Sequence, residues 1–127
     1  MTGNFSDSTS IYLQIAEMLE NDILRGVLEE EGQAPSTNEL ARAYSINPAT
    51  AAKGINLLAA EGLLYKRRGI GMFVAGGAVQ AVRQKRREAF YDTYVTSLVR
   101  EGGSIGLSCT DLTEMVRRAC GENNNDL

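Results

Sequence analysis

Two helix starts eleven residues apart constrain this chain more than any other feature. Ser36-Thr37-Asn38-Glu39 has the form of a capping box: the Ser36 hydroxyl accepts from the backbone N–H three residues on, and the Glu39 carboxylate reaches back to the N–H of Ser36. Asn47-Pro48 opens another helix, with Asn suited to the cap and Pro to the first helical position, where its missing N–H costs nothing. Between them there is room for one short helix, ending near Tyr44, and a tight turn. The helix after Asn47 runs from about Pro48 to Glu61, and Gly62 stops it. Its inward positions are Ala51, Gly54, Ile55 and Leu58, an i, i+3, i+4, i+7 stripe. The opposite face carries Ala49, Ala52, Lys53 and Asn56, all small or polar, so another surface can approach it closely.

On the N-terminal side, Ile11, Ile15, Met18, Leu19 and Ile23 recur at helical spacing and predict a helix over about residues 10–26. Glu17, Glu20 and Asp22 give it an acidic outer face. The nine residues before it are polar and read as frayed, and Glu29-Glu30-Glu31-Gly32 reads as a polar turn. After Gly62, Leu63–Arg67 and Met72–Ala75 read as short strands. Arg68-Gly69-Ile70-Gly71 joins them, giving a hairpin with a basic tip. Gly76-Gly77 then divides the chain into residues 1–76 and 77–127. In the second part Val79, Val82, Phe90, Tyr94 and Leu98 form one stripe over about 78–100, which Glu101-Gly102-Gly103-Ser104 ends. A last helix over about 109–119 starts near Ser108 with Leu112, Met115, Val116 and Ala119 as its apolar side, and an Asn-rich tail follows from Gly121. The expected fold is therefore mainly α with a small β-hairpin: an N-terminal winged helix-turn-helix, then a two-helix C-terminal segment.

Composition excludes several function classes. A chain of 127 residues holds one or two domains, and 43% apolar against 23% charged residues describes a folded protein rather than a disordered one. No apolar run approaches the ~18–20 residues of a membrane span, and the first residues lack a signal-peptide pattern. Cys109 and Cys120 are the only cysteines and read as packed thiols rather than a redox pair; the expected compartment is the cytoplasm. Histidine is absent, which removes Ser-His-Asp and Cys-His catalysis and every zinc site with an imidazole ligand. Gly69-x-Gly71 is too short to cradle a phosphate and lacks the Lys-Ser/Thr that would follow. No enzyme, metal or cofactor is expected.

The formal net charge of −3 argues against a nucleic-acid partner only as a total. Residues 1–32 carry −6, residues 33–75 carry +3, residues 76–100 carry +3 and residues 101–127 carry −3. A phosphate backbone responds to local sign within a Debye length of about 8 Å, so the basic middle is what counts, with the acids expected to face away from a duplex. The parts then fit the reading of double-stranded DNA. Ser36, Thr37 and Asn38 open the short helix, whose N–H groups can face a phosphate. Asn47, Ala49, Thr50 and Lys53 lie on the open face of the following helix, which can enter a major groove. Lys66, Arg67 and Arg68 tip the hairpin, with Gly69 and Gly71 letting the backbone come close. Ser36 also serves as an ordinary N-cap, and the two roles coexist. The stripe Val79, Val82, Phe90, Tyr94 and Leu98, with Leu112, Met115 and Val116, cannot enclose much core alone and is expected to pair with a second copy. Arg83, Lys85, Arg86 and Arg87 read as a solvated face.

Five segments resemble, in order, the motifs of GntR-type bacterial transcriptional regulators: Ile11–Ala16, Ala34–Ala41, Asn47–Thr50, Ala60–Leu64 and Arg68–Val74. The Ile46-Asn47-Pro48-x-Thr50 opening and the short C-terminal segment look like the YtrA-like branch. This resemblance implies a homodimer that binds a palindromic operator, usually as a repressor, with half-sites about 34–36 Å apart. Many members carry Arg where this chain has Asn38, Pro48 and Ala52, and Thr where it has Met72; these departures bear on the operator and the affinity, not on the architecture. With the acidic total they motivate the alternative, a winged-helix protein-interaction module that no longer reads DNA. A small-molecule effector is compatible with the chain, but no residue specifies one.

Overall fold

Residues 10–122 are described by a computed structural model. The first nine residues, read above as frayed, and residues 123–127 of the expected tail lie outside them; Gly121 and Glu122, expected to begin that tail, are helical. The described chain runs α1 (Ile11–Leu24), α2 (Thr37–Tyr44), α3 (Pro48–Ala60), β1 (Leu64–Arg67), β2 (Gly71–Val74), α4 (Ala78–Phe90), a π-helical turn (Tyr91–Val95), α5 (Thr96–Ser104) and α6 (Cys109–Glu122). It divides into two compact units, one ending at Gln84 and the other starting at Lys85. Both the mostly helical composition and the antiparallel hairpin agree with the expected winged helix-turn-helix.

The first unit closes around one apolar core. Ile15, Leu19 and Ile23 of α1, Leu40 of α2, and Ala51, Ile55 and Leu58 of α3 meet Leu63, Leu64 and Val74 of the hairpin. α3 buries Ala51, Gly54, Ile55 and Leu58, as its sequence stripe requires. Gly54 is there for space: a Cβ would stand 3.0 Å from the Tyr12 carbonyl oxygen and 3.0 Å from Ile15 Cγ2, so α1 and α3 pack closer than any side chain allows. Two departures from the sequence reading follow from this core. Glu20, expected on the acidic outer face of α1, is buried, because it shares the inward stripe with Ala16, Leu19 and Ile23. Val82, expected at a dimer interface, is fully buried with Ala78 in the first unit's core. Its side chain has no free surface, and the unit extends beyond the Gly76-Gly77 break for the same reason.

The expected polar turn at residues 29–32 also does more. The N–H of Glu31 donates to the Val74 carbonyl at 2.7 Å, that of Val74 to Gly32 at 2.9 Å, and that of Ala34 to Met72 at 2.8 Å. Gln33 is bridged to Phe73. The turn, with Glu31 at φ 67°, is thus held against β2 by these bonds and by the single bridge at Gln33. Glu30 turns the other way: its carboxylate accepts from the N–H of Gly77 at 2.9 Å and of Val79 at 3.0 Å, supplying the first turn of α4 with acceptors that its own sequence lacks. These two bonds, Gly77 first, hold the Glu30 carboxyl below the usual glutamate range.

The second unit is thinner. The helix expected to run unbroken to residue 100 contains the π turn, where the i→i+5 winding takes up an extra residue. Hydroxyls back-bond to carbonyls there: Thr96 Oγ1 to Asp92, and Ser97 Oγ to Thr93 at 2.6 Å. The Glu101–Ser104 segment ends the helix as expected, at Ser104, with Gly102 and Gly103 in the last turn of α5. Gly102 is buried against α6, where a Cβ would come within 2.7 Å of Leu112 Cδ2. α6 opens on a second capping box, Ser108 with Asp111, and continues to Glu122.

Candidate nucleic-acid interface

The candidate surface is built from two helix starts and a hairpin. At the first, the N–H of Glu39 donates to Ser36 Oγ at 3.0 Å and the N–H of Ser36 donates to Glu39 Oε1 at 2.8 Å. Both arms of the expected capping box are formed. They hold the Glu39 carboxyl below its ordinary range, the backbone N–H of Ser36 being the larger cause. Thr37 is half-buried and Asn38 exposed at the start of α2. Ser45, in the left-handed region at φ 53°, closes α2 and turns the chain toward α3. At the second start the Asn47 side-chain oxygen accepts from the N–H of Ala49 at 2.7 Å, with Pro48 in the first turn. Asn47, Pro48, Ala49, Lys53 and Asn56 are exposed, while Thr50 and Ala52 are half-buried. The Lys53 ammonium sits 4.2 Å from the centre of the Tyr12 ring, a cation–π contact that draws it toward α1.

The hairpin pairs Tyr65 with Phe73, Lys66 with Met72 and Arg67 with Gly71. Its tip needs glycine: Gly69 has φ +78° and Gly71 φ +140°, regions costly for any side chain. A Cβ on Gly71 would also fall 2.9 Å from Gln33 Nε2, and that amide donates to the Ile70 carbonyl at 3.1 Å, bracing the turn. Lys66, Arg68 and Gly69 are exposed. Arg67 is half covered: its guanidinium lies 4.0 Å from the Phe73 ring centre and reaches Glu31 at 3.7 Å.

Among the residues expected to pair with a second copy, Phe90, Tyr94, Leu98, Met115 and Val116 are exposed. The rings of Phe90 and Tyr94 meet at 5.1 Å. Val79 is half-buried against the first unit's core, and Leu112 is largely buried against Gly102, so both offer less surface than the other five. Cys109 and Cys120, expected as packed thiols, are both exposed. Sequence reasoning missed Glu31, Gln33 and Tyr65, whose contacts join residues more than thirty positions apart.

Residues 11–74, spanning α1 to the end of the hairpin, match the model of the bacterial regulatory proteins, gntR family. The chain belongs to the GntR family. Its structure is similar to a crystal structure of a GntR-family chain from Bacteroides thetaiotaomicron, at 36% identity and a TM-score of 0.77 over 90% of this chain and 99% of that one. It is also similar to AraR(DBD) solved in complex with operator ORX1, at 32% identity and a TM-score of 0.51 over 59% of this chain and 92% of that one. The HTH-type transcriptional repressor YtrA of Bacillus subtilis is 34% identical over 71 residues, 56% of this chain and 55% of that protein. The chain spans only 28% to 31% of the length of three further curated relatives, and 95% of the HTH-type transcriptional regulator YhcF of Bacillus subtilis, at 26% identity over 92% of this chain. Among the described residues, no helix is long and apolar enough to cross a membrane.

Proposed function

We propose that this GntR-family chain is a sequence-specific DNA-binding regulator, a cytoplasmic repressor that acts as a homodimer on a palindromic operator. The observation that carries the proposal is the two-faced α3. Its inward stripe is consumed by the core, while Asn47, Ala49, Thr50 and Lys53 present a small, polar face of the kind a major groove admits. The start of α2, with Ser36, Thr37 and Asn38, supplies N–H groups suited to a phosphate. Lys66 and Arg68 supply charge at the wing, and Gly69 and Gly71 let its backbone approach a groove. DNA reading is assigned to the first unit and pairing to the second, through Phe90, Tyr94, Leu98, Met115 and Val116. An AraR domain caught on its operator and a repressor name for YtrA support the reading; the likeness to YtrA also supports the YtrA-like branch. The apolar groove of about 410 Å³ lined by Leu98, Leu107, Leu112 and Val116 has the size of a small-ligand site, so an effector seated there would alter pairing and, through it, DNA affinity.

Selection of bound duplexes from random-sequence DNA by the full chain tests the proposal. Enrichment of a two-fold symmetric site is expected. Failure to enrich any site would favour the protein-interaction module instead.

A further inference from the structure

The three cations of the wing are not equivalent. Strand alternation puts Tyr65 and Arg67 on one face of β1 and Lys66 on the other. Phe73 lies opposite Tyr65, and Gly71 lies opposite Arg67. Because Gly71 has no side chain, the Arg67 guanidinium folds diagonally across the hairpin onto Phe73, 4.0 Å from the ring centre. There it donates to the Tyr65 hydroxyl at 2.8 Å, and that hydroxyl donates to Glu31 Oε1 at 2.5 Å. The same Glu31 oxygen is 3.7 Å from the guanidinium. Phe73 is only 8% exposed, yet it stands outside the main core cluster; Arg67 and Tyr65 are part of what covers it. Lys66 and Arg68 are exposed and have no hydrogen-bond, ion-pair or ring partner among the described residues.

We propose that Arg67 is a positioning residue that ties the wing to the Glu31 turn through Tyr65, and that the wing's phosphate contacts are made by Lys66 and Arg68. A guanidinium bound to a carboxylate, a phenol and a ring face must break those contacts before it can serve a phosphate, whereas Lys66 and Arg68 give up only water. Glu31 is then no stray acid on a DNA-facing element. It is the anchor that fixes the wing's angle, held in turn by its own N–H bond to Val74.

The inference rests on the DNA-binding reading, and salt dependence separates the two. The probe is the duplex that the wild-type chain selects from random DNA. Each lost phosphate contact makes the log–log salt slope shallower by about 0.9. Arg68→Gln is expected to reduce the slope by about that amount and to leave thermal stability unchanged. Arg67→Gln is expected to keep the wild-type slope while weakening binding roughly threefold to tenfold at every salt concentration. Glu31→Gln should weaken binding likewise, and the double variant should be no worse than the single ones, since both break one network. A slope shallower by about 0.9 in Arg67→Gln, or additive losses in the double variant, would overturn the assignment. A wild-type chain that selects no duplex, or binds without salt dependence, would overturn the DNA-binding reading and the assignment with it.

Discussion

The two units use their apolar residues in opposite ways. In the first, Ile15, Leu19, Ile23, Leu58, Leu64, Val74 and Val82 are all but inaccessible, and the outward faces of α2 and α3 are left small, polar or charged, while the wing exposes Lys66 and Arg68 beside Ile70. In the second, Leu112 is the one large side chain buried among the described residues, while Phe90, Tyr91, Tyr94, Leu98, Val99 and Ile105 stay exposed. A unit that has filled its own core can commit its surface to a charged partner. A unit that has not needs another apolar surface, because exposed contiguous patches mark interaction sites. That contrast supports the division of labour proposed here: DNA on the first unit, a second copy on the second.

The contrast is most easily broken by truncating one buried and one exposed side chain. Leu58→Ala should destabilise the first unit by about 2–5 kcal/mol, from lost burial plus the cavity left behind. Met115→Ala, at 43% exposure, should change stability by no more than about 0.5 kcal/mol in dilute, monomeric samples. Urea unfolding followed by circular dichroism reads both, and equal losses would deny the contrast. A second effect appears only on association. Replacing Phe90 and Tyr94 together with Ser removes two aromatic anchors, each worth about 1.5–3 kcal/mol if buried. Sedimentation equilibrium should then show a dimer becoming a monomer while the unfolding midpoint of the first unit stays put; an unchanged mass would place the pairing surface elsewhere.

The smallest expected effect concerns acid. Glu30 in the first unit and Asp111 in the second both have carboxyls held below their ordinary range, by the N–H groups of Gly77 and Val79 and by the backbone and hydroxyl of Ser108 respectively. A carboxyl lowered on folding contributes stability above its unfolded pKa and loses it as pH falls through the folded value. Thermal stability should therefore fall as pH drops from the usual carboxylate range through the lowered folded value, and Glu30→Gln should flatten that dependence for the first unit alone. A slope unchanged in the variant would show that Glu30 does not secure the start of α4.

Signals local to the chain were legible in the sequence. The Ser36–Glu39 box, the Asn47-Pro48 start and the Ala51, Gly54, Ile55, Leu58 stripe could be read because caps and helical periodicity span three to seven residues. The hairpin was legible from its glycines. What could not be read depends on partners far along the chain. Residues 29–32 form the expected polar turn, but the bonds that hold it against β2 could not be read from its own sequence. Glu20 looks exposed until α1 is rotated onto its core. Val82 looks like an interface residue until the first unit claims it. Gly102 and Gly103 read correctly as part of a helix stop, but not as the space that Leu112 needs. The charge partition also needed the fold: the acids of residues 1–32 do not simply face away, since Glu31 holds the wing.

The central claim, that the polar face of α3 and the basic wing bind DNA, is tested most directly by the salt dependence of binding between the full chain and its selected duplex. A straight log–log plot with a steep negative slope is expected, about −0.9 for each phosphate neutralised and several phosphates in all. A flat plot would contradict that claim.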